Sequence, residues 1–453
     1  MKHIKTYILA LALTAVATAS AQTVFTLPQA IEAACQNNSQ LQKRRLSEQS
    51  MALTKKELYT KYFPSASLSF TGFMRNKGLF EGSPILDWAF TQYATLFAQD
   101  ANANFENVQI LKYGAFGGLK ITQPIYTGGR LTAANSLAKL GQEAATELTA
   151  LQEEDVRQEV EKYFWQLVQL YEADRSLLTM DSLFDRAQHD ASLALKAGLV
   201  TTNDEMQVKL HGSELESMHL KLGNGQELCK EYLAYLLGVE KVDSIVWDDI
   251  YKVEKPEHFL VNPDAALLDR HELKLLQMRV DAAQLQKKYT RGGLLPTVGA
   301  FFNLSYHYLW AKNEGGYYNS QLDNNNFGWM LGASVSVPLT AWWGGSYALK
   351  RSNISIQQAQ IERDDKQKLM RVQVTQKWST LNEKYKQIDV AKRQLQQAEQ
   401  NQKQQASAYR SGAITMTDRL QADALYEKSR TNYIDACIKY RTVITEYLHA
   451  TGR

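Results

Sequence analysis

The chain has 453 residues, 44% hydrophobic and 22% charged, with a formal net charge of +3. That length could hold two or three globular domains, and so slight a charge gives no support for nucleic-acid binding. The three cysteines, Cys35, Cys229 and Cys437, are scattered, which is neither a disulfide framework nor a zinc spacing.

At the N-terminus, Lys2 and Lys5 precede an apolar run from Tyr7 to Ala17, and Ala19-Ser20-Ala21 is a small-x-small cleavage pattern. Residues 1–21 therefore read as a secretory signal peptide, with Gln22 as the first mature residue. The alternative, a short membrane anchor, is too short to span a bilayer. Loss of Lys2 and Lys5 takes the net charge from +3 to +1. Cys35 lies well past the cleavage site, so it is not the lipid-bearing first residue of a mature lipoprotein. No other stretch approaches about 18–20 consecutive apolar residues, which excludes spanning by helices.

A helical stretch then leads into the strand SASLSFTGF, residues 65–73. There Ala66, Leu68 and Phe70 alternate with Ser65, Ser67, Ser69 and Thr71. A long loop, 74–115, contains ILDWAFTQYATLFA (85–98), apolar enough to pack as a surface helix or to act as a lid. The strand GGLKITQPI (117–125) runs through ITQPIYTGGRL (121–131) into a proline-free stretch from Leu131 to Ala197. Val156, Val160, Phe164, Leu167 and Tyr171 step by 4, 4, 3 and 4, the spacing of an amphipathic, coiled-coil-like helix. Some 65 helical residues would be about 100 Å long, so the apolar stripe needs other helices beside it. A turn near Gly198 and a shorter helix follow.

The same order returns. TVGAFFNLSYHY (297–308), the loop LWAKNEGGYYNSQLDNNN (309–326) and GWMLGASVSVPL (328–339) lead through VSVPLTAWWGGSY (335–347) into a second proline-free stretch, from Tyr347 to Ser411. An offset of 214 pairs Pro124 with Pro338, Val160 with Val374, Phe164 with Trp378, Gly198 with Gly412 and Asp204 with Asp418. Upstream, an offset of 232 pairs Leu41 with Leu273 and Pro64 with Pro296. An internal duplication predicts a first repeat over 22–239, an equatorial linker over 240–263 and a second repeat over 264–453.

Strands of about ten residues with one apolar and one polar face suit either a soluble sandwich or a tilted membrane barrel. Four strands cannot close a barrel, and an open edge in lipid is prohibitive. Membrane strands thus require several copies, and three chains would give twelve strands. On that reading the two junctions mark the change from barrel wall to helical tube. Pro124 and Pro338 would end the ladder. Gly128-Gly129 and Gly344-Gly345 would supply backbone angles closed to other residues. Tyr126, Trp342 and Trp343 would belong to an interfacial aromatic girdle. Gly128-Gly129-Arg130 at a helix start could instead cradle a phosphate, though the fuller phosphate-loop pattern is missing.

FTLPQAIEAACQNNSQL (25–41) resembles the N-terminal opening of the TolC family of outer-membrane efflux channels, with Ser39 where proline is usual. The junctions resemble its Pro-Leu-Phe-x-Gly-Gly turn, and KAGLVTTND (196–204) and YRSGAITMTD (409–418) its two tip turns. The resemblance runs from about Phe25 to Gly452. It implies a homotrimer with a transmembrane twelve-stranded β-barrel in outer-membrane lipid, continued by an α-helical coiled-coil tunnel in the periplasm. It also implies an inner-membrane pump and a periplasmic adaptor as partners, no cofactor and no enzymatic activity. Adaptor docking would fall on Ala197, Gly198, Leu199, Ser411, Gly412 and Ala413. Asp418 matches a family position that forms an acidic ring at the constriction; Gln421 stands where a second acid is usual. Alternatively Asp418 is a helix-capping acid. Tyr409 and Asp204 match two members of a tyrosine-aspartate-arginine latch, whose arginine position is Ile414 here, with Arg410 or Arg419 as possible substitutes.

The eight histidines are dispersed and no nucleophile has a credible base, so catalysis finds no foothold. The rival readings are a periplasmic adaptor protein, a non-transporting periplasmic coiled-coil protein, and a channel of the same fold that exports proteins rather than small molecules.

Overall fold

The computed structural model describes residues 24–74, 108–196, 201–313 and 324–452. The expected signal peptide, residues 75–107 and 314–323 of the two loops, and Ala197, Gly198 and Leu199 lie outside the described residues. In chain order the elements are β1 (Val24–Thr26), α1 (Leu27–Asn37), α2 (Ser39–Thr60), β2 (Ser65–Met74), β3 (Val108–Tyr126), α3 (Arg130–Lys196) and α4 (Thr202–Leu237). They continue with β4 (Ser244–Val246), a 3-10 turn (Pro256–Phe259), α5 (Pro263–Asp269), α6 (His271–Gly292), β5 (Thr297–Asn313), β6 (Asn324–Ser336), α7 (Ala341–Arg410) and α8 (Met416–Ala450). The two proline-free stretches are single helices of 67 and 70 residues.

The chain divides into two compact units, each pooling segments distant in sequence. A sheet unit draws on Met51–Gln142 and Asp281–Gln358. A helical unit draws on Glu143–Val280, Ala359–Arg453 and the described residues up to Ser50.

In the sheet unit four antiparallel strands run in the order β2-β3-β5-β6. Their register follows from the period-two pattern, since a one-residue slip would move every side chain to the other face. Leu68 pairs with Leu119, Leu119 with Leu304, and Leu304 with Trp329, so one face is an apolar row. The next row is polar as far as β5, Ser67 pairing with Lys120 and Lys120 with Asn303, and ends on Met330 of β6. The apolar face is uncovered, with Leu68 82% and Trp329 69% exposed.

In the helical unit the predicted apolar stripe is the core. Val156, Val160, Phe164, Leu167 and Val168 of α3 bury against Leu233 and Leu237 of α4 and Ala30 and Ala34 of α1. A second cluster joins Val374, Leu381 and Ile388 of α7 to Tyr440, Val443 and Tyr447 of α8. Each fully buried side chain of this size contributes about 1.5–3 kcal/mol. Residues 240–263 carry structure of their own. β4 pairs in parallel with β1, Phe25 opposite Ile245, and Val242, Ile245 and Ile250 enter the α3 core. The Tyr440 hydroxyl donates to the Glu254 carbonyl at 2.7 Å, and burial pushes that phenol well above its usual pKa.

Candidate functional site

Two places carry the residues that the sequence singled out, one in each compact unit. In the sheet unit, β3 passes through Pro124, which pairs with Gly299 before a bulge leads to the pair Tyr126–Val298. Pro124 therefore does not end the ladder as expected. β2 has already ended at the Ser65–Thr122 pair, so Pro124 has a strand neighbour on one flank only, the kind of edge position where proline is tolerated. Gly128 and Gly129 then take φ of 65° and 80°, and α3 begins at Arg130. Gly128 is needed twice over, since a Cβ there would lie 2.2 Å from the Gly292 carbonyl oxygen. Arg130 donates to the Tyr289 hydroxyl at 2.8 Å, with its guanidinium 4.8 Å from that ring's centroid. A glycine packed on backbone and an arginine turned to a tyrosine give the phosphate-cradle reading no support.

The second junction is built differently. β6 ends at Ser336, so Pro338 lies beyond the ladder, and α7 starts at Ala341. Trp342, Trp343, Gly344 and Gly345 thus sit within the first turns of a helix. The expectation of special backbone angles fails for the second glycine pair: neither Gly344 nor Gly345 has a positive φ. Gly345 instead admits the Leu294 side chain, which would lie 2.5 Å from an added Cβ. The Trp342 indole N–H donates to the Leu294 carbonyl at 2.8 Å. Trp343 is 81% exposed. A groove of about 550 Å3 on the polar side of the sheet base is lined by Lys120, Thr122, Phe301, Asn303, Met330 and Ser334 among others.

In the helical unit, α7 ends at Arg410 and the chain reverses through Ser411, Gly412 and Ala413, all exposed. Gly412 has φ of 72°. Its N–H bonds the Tyr409 carbonyl at 3.0 Å and the Ala413 N–H bonds that of Ala408 at 2.9 Å. These satisfy carbonyls left open at a helix end. α8 then starts with a reciprocal cap. The Asp418 N–H donates to Thr415 Oγ1, and Asp418 Oδ2 accepts from the Thr415 N–H at 3.0 Å and its hydroxyl at 2.6 Å. The Thr415 side-chain bond, then its backbone bond, hold the Asp418 carboxyl below the usual range, so the group is charged at neutral pH. Asp418 and Gln421 are both exposed, one helical turn apart.

Tyr409 packs against the buried cluster of Ala191, Val208 and Met416, as Phe184 and Leu420 do. The Arg419 guanidinium lies 5.1 Å from the centroid of its ring, so Arg419, rather than Arg410, partners the tyrosine. Arg419 Nε is 3.9 Å from Asp423 Oδ2, and the Gln402 amide donates to Asp423 Oδ1 at 2.9 Å. Asp204 lies in α4, with its side chain outside the described residues. Asp423 and Gln402 escaped the sequence reading. The signal for Asp423 was its i,i+4 spacing from Arg419; nothing in the pattern marked Gln402. One turn further on, the Ser176 hydroxyl donates at 2.5 Å to Glu427, a carboxylate only 2% exposed. Among the described residues no His, Cys, Asp and Glu converge as a metal site, and no helix is long and apolar enough to cross a membrane.

Residues 262–444 match the family model described as outer membrane efflux protein. No curated protein matches the chain. Among solved structures, the outer-membrane channel OprN is similar at 15% identity with a TM-score of 0.75, covering 94% of this chain and 89% of that one. The Campylobacter jejuni CmeC outer membrane channel is similar at 14% identity and a TM-score of 0.76, covering 94% of this chain and 85% of that one. Vibrio cholerae VceC, at 15% identity and 0.72, covers 94% and 96%. Residues 262–444 thus carry an outer membrane efflux protein domain, and the described length has the fold of these outer-membrane channels.

Proposed function

We propose that this chain is the outer-membrane channel of a tripartite efflux or type I secretion system, working as a homotrimer. The observation that carries the reading is the sheet. Its apolar face is uncovered, and β2 and β6 are unpaired edges within the chain. In lipid an apolar face is at home, but an unpaired edge is not. Three copies joined edge to edge would make twelve strands and remove every edge, and the helices would continue the pore as a periplasmic tunnel. Duplication of one strand-pair-and-hairpin unit, meeting across the linker 240–263, accounts for the paired order of elements.

Within that assembly the turn at Ser411, Gly412 and Ala413, with its counterpart at Ala197, Gly198 and Leu199, is the docking surface for a periplasmic adaptor that delivers cargo from an inner-membrane pump. Tyr409 and Arg419, with Asp423 and Asp204 beside them in the scheme, form the latch that holds the tip closed. Asp418 in three copies forms the selectivity ring with Gln421 at its side, and an anionic ring favours cations. The exposed junction aromatics Tyr126, Trp342 and Trp343 mark the lipid boundary.

Membrane fractionation with chemical cross-linking tests the whole: an outer-membrane trimer is expected, and a soluble periplasmic monomer would discard the reading. Asp418→Asn tests the ring separately. It should lower cation preference in single-channel currents, and unchanged selectivity would remove Asp418 from the bore.

A further inference from the structure

The helix ends next to the sheet carry a lopsided charge. Over the whole chain basic and acidic residues nearly balance, 51 against 48. The four segments 51–64, 127–142, 281–296 and 337–358, all in the sheet unit, hold ten basic residues and two acidic ones, Glu57 and Asp281. The end of α2 supplies Lys55, Lys56 and Lys61, and the start of α3 supplies Arg130 and Lys139. The end of α6 supplies Lys287, Lys288 and Arg291, and the start of α7 supplies Lys350 and Arg351. Eight of the ten are exposed, all but Lys55 and Lys287.

Lys139 makes a contact within the chain; for the other nine, neutralisation among the described residues does not explain the excess. Lys55 donates to the neutral Gln142 amide at 3.0 Å, Arg130 to a tyrosine hydroxyl, and Lys350 lies over the Tyr347 ring at 5.7 Å. Lys56, Lys61, Lys288, Arg291 and Arg351 have no carboxylate partner among the described residues. Long helices elsewhere in the chain do pair such charges at i,i+4, as Glu399 with Lys403 and Asp435 with Lys439. The same segments expose large aromatics: Tyr59, Phe63, Trp342, Trp343 and Tyr347 are each half exposed or more. Basic side chains interleaved with aromatics just beyond an apolar face have the make-up of a membrane interface, where aromatic rings sit at the headgroups and long cations reach out to phosphate.

We propose that these helix ends form a basic collar that binds the headgroups of anionic phospholipids in the leaflet nearest the helices. Phosphatidylglycerol, a phosphodiester with a net negative charge, is the probe. This rests on the reading that the sheet lies in a membrane, and adds a lipid preference to it. Lys288, Arg291, Lys350 and Arg351 are the residues we assign to the phosphodiester oxygens.

The test uses the full-length protein in detergent, exposed to equimolar phosphatidylglycerol and phosphatidylcholine, with retained lipid read by native mass spectrometry. Planar-bilayer conductance of the same samples checks insertion. The unmodified protein should retain phosphatidylglycerol on the order of tenfold over phosphatidylcholine, and the ratio should fall towards one in about 0.5 M salt. The combined variant Lys288→Gln, Arg291→Gln, Lys350→Gln, Arg351→Gln should show the lower ratio at low salt while keeping its conductance. No preference in the unmodified protein, or an unchanged preference in the variant, would overturn the collar. So would a variant that keeps the lipid ratio but changes ion selectivity, since the charges would then line the bore. If the variant does not assemble, the salt dependence of the unmodified protein decides alone. A protein that enters no bilayer of any composition instead defeats the channel reading itself.

Discussion

Gly128→Ala probes the first junction where its backbone is most constrained. Two costs add. An alanine held at φ of 65° is in the left-handed region, at about 1–2 kcal/mol. Its Cβ would stand 2.2 Å from the Gly292 carbonyl oxygen and 2.9 Å from Leu295 Cβ, so α6 must retreat from the turn, at a further cost of about 1–3 kcal/mol. The sum is about 2–5 kcal/mol. The neighbouring glycines supply graded controls. Gly129 has φ of 80° but nothing within 4 Å of an added Cβ, so alanine there bears only the backbone cost. Gly345→Ala must displace the tip of Leu294, a flexible side chain, and should fall in between. Gly344 is helical with open space around it, so alanine should be neutral or stabilising by about 0.5–1 kcal/mol. Thermal melting of the purified proteins by circular dichroism, with heat-modifiable gel mobility as a second readout, should rank Gly128→Ala well below Gly129→Ala, and Gly344→Ala at or above the unmodified protein. A Gly128→Ala protein that melts with the unmodified one, or a Gly344→Ala protein as damaged as Gly128→Ala, would refute the reasoning.

Other expectations are open to direct measurement. Arg419→Gln removes the cation from Tyr409 and the partner of Asp423; Asp423→Ala removes the acceptor of Gln402. Each should raise single-channel conductance if these contacts hold the tip shut, and no change in either would remove them from the latch. His449 Nε2 lies 3.4 Å from Asp155. The Asp155 carboxylate raises its pKa most, burial opposes, and Glu154 and Glu272 add to the rise. A raised folded pKa gives stability that is present in full below the unfolded value of about 6.5 and lost as pH climbs through the folded one. His449→Gln should therefore melt below the unmodified protein at pH 5.5, with the gap closing above neutrality; a gap independent of pH would show that the imidazole acts by packing alone.

Much of this architecture was legible in the sequence because its periods are local. Ala66, Leu68 and Phe70 against Ser65, Ser67 and Ser69 fixed which strand face is apolar. The 4, 4, 3, 4 stepping from Val156 to Tyr171 named the buried stripe of α3, and Val160, Phe164 and Leu167 are all fully buried. Absence of proline gave the lengths of α3 and α7 to within a few residues. The tight helix reversal expected at Gly412 is present, with that glycine at φ of 72°, because a left-handed residue at a helix end favours glycine. Gly344-Gly345 misled for the reason that Gly128-Gly129 did not: identical dipeptides signal permitted angles, while the start of the following helix decides whether those angles are used.

By itself, the sequence determined what each segment is: apolar-faced strands, two very long helices, their breaks, and an excess of positive charge where strand becomes helix. Those properties depend on neighbours within a few residues, through propensity, periodicity and capping. Only the tertiary structure decided what meets what. It set β3 against β5, brought the Gly292 carbonyl onto Gly128, put Arg419 over Tyr409 and drew Gln402 to Asp423, so that each compact unit pools segments from both halves of the chain. Pairings of this kind are chosen by shape and by hydrogen bonds between residues far apart along the backbone, and no local period records them.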